Sequence, residues 1–148
     1  AIDATVKVAV GRPRPYFYSD DPAVVAYAQR EGRDSHLSFY SGHASRTFSA
    51  SVAGAYLFAQ STNDTYARAA VWGVELALAA TTADLRTRAG KHFYSDVLVG
   101  AGVGTGLGVL IPYLHGGPKV HLSKLEWLAI AIGPLLGIAV GELLPVGG

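Results

Sequence analysis

The stretch LRTRAGKHFYSDVLVGAGVGTGLGVLIPYL spans residues 85–114. It opens polar, with Arg86, His92 and Asp96 at the spacing Arg-x5-His-x3-Asp, and then runs apolar to Leu114. The apolar part predicts a helix over about His92 to Leu114. His92 and Asp96, four residues apart, would share one of its faces. Gly100, Gly104 and Gly108 would share another. Each glycine costs roughly 1 kcal/mol relative to alanine in a helix interior. Such a row predicts a second helix backbone packed closely against it, with plain flexibility as the bland alternative.

Two further long helices precede this one. Ser41 is an N-cap for a helix of roughly Gly42 to Gln60, with Phe48, Val52, Ala55, Tyr56 and Ala59 as its apolar stripe. Asn63-Asp64 caps the next, about Thr65 to Ala83, which is apolar nearly all round. Ile2, Val6 and Val10 give a short helix carrying Lys7, broken by Gly11-Arg12-Pro13-Arg14-Pro15. Asp20-Asp21-Pro22 starts a small helix and Gly32 stops it. Residues 33–39 form a polar loop. Pro112 and Gly116-Gly117-Pro118 mark the exit from the last long helix.

The tail carries an apolar run from Trp127 to Val140, short for a membrane span of ~20 residues. Gly133-Pro134 interrupts it. We read it as a β-hairpin turning near Gly133–Gly137, with a proline-kinked helix as the alternative. The expected fold is all-α, a helical bundle in one domain of residues 1–148, with residues 118–148 as a C-terminal appendage. The three long helices approach membrane length, but Arg46 and Ser49 in the first and Arg68 and Glu75 in the second are costly facing lipid. The helical domain is therefore read as soluble or peripheral, with integral membrane residence as the alternative.

Composition narrows the chemistry. Of 148 residues, 50% are hydrophobic and 16% charged, enough for a real core and too apolar for disorder. A net charge of +1 supplies no basic field for nucleic acid. The absence of cysteine rules out disulfides and thiolate metal sites. His36, His115 and His121 lack partners at metal-ligand spacing, so no metal is expected. The chain has no methionine, even at position 1, and no visible signal peptide. It is expected to be a processed product or part of something longer.

Three blocks carry the chemistry. A carboxylate at Asp96 would fix the tautomer of His92 and leave its other ring nitrogen as nucleophile or base. Arg86, across the turn Arg88-Ala89-Gly90, can reach the same spot as a bidentate oxyanion ligand. Ser41-Gly42-His43 at a helix start offers a hydroxyl and backbone amides to an anion, with His43 beside it as a proton donor. Lys7 and one arginine of the double Arg-Pro, Arg12 or Arg14, complete the inventory. Taken singly, each block also reads as a capped helix end or a solvated charge.

Together and in this order the blocks resemble the type 2 phosphatidic acid phosphatase superfamily, which includes bacterial acid phosphatases and vanadium haloperoxidases. Its pattern is Lys-x6-Arg-Pro, Pro-Ser-Gly-His and Ser-Arg-x5-His-x3-Asp. Here these read Lys7…Arg14-Pro15, Tyr40-Ser41-Gly42-His43 and Leu85-Arg86…His92…Asp96, over about residues 1–110. The x6 spacing selects Arg14 over Arg12. Tyr40 replaces the proline and Leu85 the serine, the latter deleting a hydroxyl contact to phosphate.

The resemblance implies a phosphatase in a helical bundle that needs no metal or cofactor. Lys7, Arg14, Ser41, Gly42 and Arg86 would bind phosphate, and vanadate could occupy the same place. His92 would attack phosphorus, Asp96 would orient it, and His43 would protonate the leaving group. The partner is a phosphate ester, lipid or small. The site is expected on the non-cytoplasmic side of a bacterial membrane, in a membrane-associated or periplasmic protein. The family's helices before the first motif are expected to be missing here. Such a chain is either inactive or completes its core with another copy as a homo-oligomer. A vanadium haloperoxidase and a non-catalytic helical membrane or interaction module are the alternatives.

Overall fold

Helices account for every regular element in a computed structural model that describes residues 2–116 and 119–146. They are α1 (Ile2–Val10), α2 (Pro22–Glu31), α3 (Gly42–Ser61), α4 (Thr65–Arg88), α5 (Tyr94–Leu114) and α6 (Lys124–Leu143), with short 3-10 turns at Pro15–Tyr18 and Gly32–His36. No strand occurs among the described residues. The long helices lie in the spatial order α5, α3, α4, α6. Gly117 and Pro118 of the expected exit turn lie outside the described residues.

Helix starts follow the capping residues. The Ser41 hydroxyl accepts from the Ala44 amide, the Asp64 carboxylate from the Tyr66 and Ala67 amides, and Asp21 from Ala23. Val52, Ala55 and Tyr56 of α3 pack against Trp72 and Leu76 of α4 to form the main core. Ala44, Ala83 and Val97 form a second cluster where α3, α4 and α5 meet, and Phe48 packs against both.

Glycine rows set the closest contacts. A Cβ added at Gly100 would lie 2.5 Å from the Ser41 carbonyl oxygen, and one at Gly104 would lie 2.3 Å from that of Ser45. One at Gly108 would lie 2.8 Å from that of Ser49. The α5 backbone therefore rests directly on the carbonyls of α3. The tail repeats the device against α4: Gly133 meets the Gly73 carbonyl, Gly137 that of Ala77, and Gly141 the Asp84 carboxylate.

The tail is thus a helix, not the hairpin expected near Gly133–Gly137. Ser123 and Glu126 form a reciprocal capping box at its start, and Pro134 is accommodated inside it. The glycines that looked like a turn form a packing face instead. Two other boundaries differ from the sequence reading. Helix α4 continues past Ala83 to Arg88, because Asp84 is buried against Gly141 rather than exposed. Helix α5 begins at Tyr94, so His92 precedes it.

Helices α5 and α6, 21 and 20 residues long, are each long and apolar enough to cross a membrane. Their outer faces, including Leu98, Leu110 and Leu114 on α5 and Trp127, Leu135 and Leu143 on α6, are exposed. A core helix of a soluble bundle would have these residues covered.

The glycine rows give a sharp contrast with the other glycines of α5. Gly104→Ala and Gly137→Ala should destabilise the protein by roughly 1–3 kcal/mol, the usual cost of overpacking. Gly102→Ala and Gly106→Ala, where an added Cβ meets nothing within 4 Å, should be neutral or stabilise by up to about 1 kcal/mol. Unfolding midpoints of the four purified variants would read the difference. Equal effects at the two kinds of position would refute close backbone packing.

Candidate active site

Gly11, in the left-handed region at φ 58, ends α1 and turns the chain into the double Arg-Pro segment. That segment pairs with the loop after α2: the Arg14 amide donates to the Ser35 carbonyl at 2.7 Å and the Ser38 amide to the Arg12 carbonyl at 3.0 Å. Lys7 reaches across from α1 to donate to the Leu37 carbonyl at 2.9 Å. Arg14 is buried. Its Nε and Nη2 donate to the Asp34 carbonyl and carboxylate at 2.9 and 2.8 Å, and Nη1 to the Lys91 carbonyl at 3.0 Å. Three of the five guanidinium N–H groups are thus engaged, which fixes the orientation of the other two.

Ser41 is fully buried at the start of α3, and its amide donates to the Asp96 carbonyl at 3.0 Å. Gly42 is buried beside it, and a Cβ there would lie 2.5 Å from the Asp3 carboxylate. His43 projects from the same turn and is exposed.

The third block begins on the last turn of α4. Arg86 stands there with its Nε buried and unpartnered among the described residues. Gly90 at φ 64 makes the reversal, and the Lys91 amide donates back to the Arg86 carbonyl at 3.1 Å. This places His92 just ahead of α5, only 2% exposed. The shared helical face expected for His92 and Asp96 is therefore corrected. Phe93 is the N-cap, and Asp96 bonds its amide at 3.0 Å. The two side chains still approach, His92 Nδ1 lying 3.8 Å from Asp96 Oδ2, beyond hydrogen-bond length.

Asp96 is fully buried and its hydrogen bonds go elsewhere. Oδ2 accepts from Ser38 Oγ at 2.5 Å, and Oδ1 from Arg12 Nη1 at 2.6 Å. Neither Arg12 nor Ser38 is a site residue in the sequence reading. Asp34, which anchors Arg14, was missed as well. Only Arg12 left a signal, as the second Arg-Pro.

The electrostatics draw the blocks together. Burial first, and then the charges of Lys7, Arg14 and Arg86, push His92 down from 6.5 to about 3. Burial, Arg86, Arg46, Lys7 and Arg14 lower His43 in the same direction. The charges of Lys7, Arg14 and Arg86 thus bear on both imidazoles. Lys7 and Arg86 are themselves lowered by burial and by Arg14, with Asp34 offsetting part of the repulsion. Lys7, Arg14 and Arg86 with the two imidazoles make a donor set suited to a multiply charged oxyanion.

A family model described as PAP2 superfamily matches residues 1–118. No curated protein matches the chain. No solved structure matches it either. With a family match over most of its length, the chain belongs to the PAP2 superfamily.

Proposed function

We propose that this protein is a metal-independent phosphomonoesterase that works through a phosphohistidine on His92. The observation that carries the reading is the placement of His92, buried just ahead of α5 with Nδ1 3.8 Å from Asp96, while His43 stands exposed at the start of α3 and the charges of Lys7, Arg14 and Arg86 bear on both. The three cations hold the phosphoryl oxygens and take up charge that builds there. Ser41 and the Gly42 amide add hydrogen bonds.

Nδ1 of His92 faces Asp96, so Nε2 attacks. Its lone pair forms the N–P bond as the ester P–O bond breaks. His43 gives its proton to the departing oxygen. In the second step water adds to phosphorus and passes a proton to His43. The N–P pair returns to His92, and inorganic phosphate leaves. Vanadate, able to adopt five-coordinate geometry, would occupy the same pocket and inhibit.

The site lies at the end of the bundle where α5 begins, beside the exposed apolar faces of α5 and α6. Embedded in a bilayer, those helices would bring the pocket to the headgroup level. This supports membrane association. The substrate, a lipid or small organic phosphate, and access from the non-cytoplasmic side of a bacterial membrane are what the family resemblance implies.

Hydrolysis of p-nitrophenyl phosphate should persist in EDTA and be inhibited by vanadate. His92→Ala should abolish turnover and phosphoenzyme labelling. His43→Ala should slow an alkyl phosphate more than p-nitrophenyl phosphate, because a good leaving group needs little proton donation. Equal losses on the two substrates would argue against His43 as the acid. Halide oxidation after vanadate addition, without hydrolysis, would instead mark a haloperoxidase.

The pH profile has a definite sign. His43 must be protonated and His92 neutral. Activity (kcat/KM) should therefore fall as pH rises through a value below 6.5. It should hold on the acid side until about 3, where His92 protonates. A basic optimum would reject these assignments.

Cell fractionation tests the location. Recovery in the soluble cytoplasmic fraction, with no preference for phosphatidic acid over small esters, would overturn both the membrane and the lipid parts of the reading.

A further inference from the structure

Among the described residues Asp96 is the one carboxylate facing His92, yet it is held by other groups. Arg12 Nη1 lies 2.6 Å from its Oδ1 and also donates to Ser95 Oγ at 2.8 Å. The guanidinium sits 4.1 Å over the Phe93 ring, so three contacts fix its orientation. Ser38, itself fully buried, donates to the oxygen that faces His92. The cations that weigh most on His92 are Lys7 from α1, Arg14 from the following loop and Arg86 from α4. Arg12 is not among them, and its reach to His92 runs through Asp96.

We infer that Arg12 is a positioning residue for the nucleophile: by pairing with Oδ1 of Asp96 it fixes that carboxylate against His92 and weakens its pull on the ring. This rests on the phosphohistidine reading above and names a residue that acts behind it. A bare carboxylate 3.8 Å from an imidazole would favour the protonated ring, whose lone pair cannot attack phosphorus. A carboxylate already paired with a guanidinium exerts a weaker pull. Once Nε2 carries the phosphoryl group the ring is cationic, and Asp96, held in place, can then accept from Nδ1. Ser38 supports the same geometry from the other side.

The test uses the full chain labelled with 15N-histidine. Wild-type His92 should protonate only at about 3, far below an ordinary histidine. Arg12→Gln should raise its titration by about one unit, the smaller end of what a nearby carboxylate does. Arg12→Lys should restore much of the wild-type behaviour. Under the hydrolase reading, Arg12→Gln should also cut kcat on the order of tenfold, as loss of an orienting contact does, and leave KM within about twofold. Ser38→Ala, which removes a donor from the oxygen facing His92, should shift the titration the same way and serves if Arg12→Gln does not fold.

A folded Arg12→Gln protein with wild-type His92 titration overturns the proposal, whatever its activity. A raised KM at unchanged kcat does so too, since it would make Arg12 a substrate contact. Because the titration needs no turnover, it separates failure of this proposal from failure of the hydrolase reading, which rests on His92→Ala.

Discussion

A buried carboxylate must have its lone pairs met or it destabilises the fold, and Asp96, with no exposed surface, sets that condition here. Its partners come from well-separated places in the chain. Arg12 follows α1, Ser38 follows α2, and the Phe93 amide belongs to its own helix start. Its backbone carbonyl receives the Ser41 amide from the start of α3. Satisfying one charge thus pins three connecting segments at once. The groups proposed to bind phosphate hang from those segments: Lys7 rests on the Leu37 carbonyl, and Arg14 on Asp34 and the Lys91 carbonyl.

The helices provide a frame stiff enough for this arrangement. Two glycine rows bring α5 onto α3 and α6 onto α4 at backbone contact, where interdigitated side chains would hold them apart. At the far end of the bundle the buried Glu126 pairs with Arg68 at 2.8 Å, and Arg68 also donates to the His121 carbonyl. That ties the start of α6 to α4 by a charge-assisted contact independent of the site. The apolar residues left outside are concentrated on α5 and α6, so one bundle carries the polar motif segments at its end and an apolar flank along its side.

Much of this was legible in the sequence because it is local. Caps such as Ser41 and Asp64, and apolar stripes at helical period, mark α3 and α4 without reference to the rest of the chain. The motif spacings placed His92 near Asp96 even though the helix was expected to begin two residues early. What escaped reading depends on distant partners. Asp84 and Arg86 seemed to end α4, since nothing local shows Asp84 packed on Gly141, 57 residues on. Gly133-Pro134 resembled a turn, although Gly133, Gly137 and Gly141 repeat the spacing of Gly100, Gly104 and Gly108. Arg12 and Ser38 meet Asp96 across 84 and 58 residues, and no periodicity joins them.

The glycine row on α5 has a mechanical consequence. Each glycine seats over a carbonyl of Ser41, Ser45 or Ser49. A slip along the row by one full turn step, about 6 Å at helical rise, would bring Asp96 or Pro112 to a place now held by glycine. The seating therefore fixes the register of α5 on α3. Through that register it also fixes where Asp96 stands relative to the Ser41 amide at the start of the helix that carries His43.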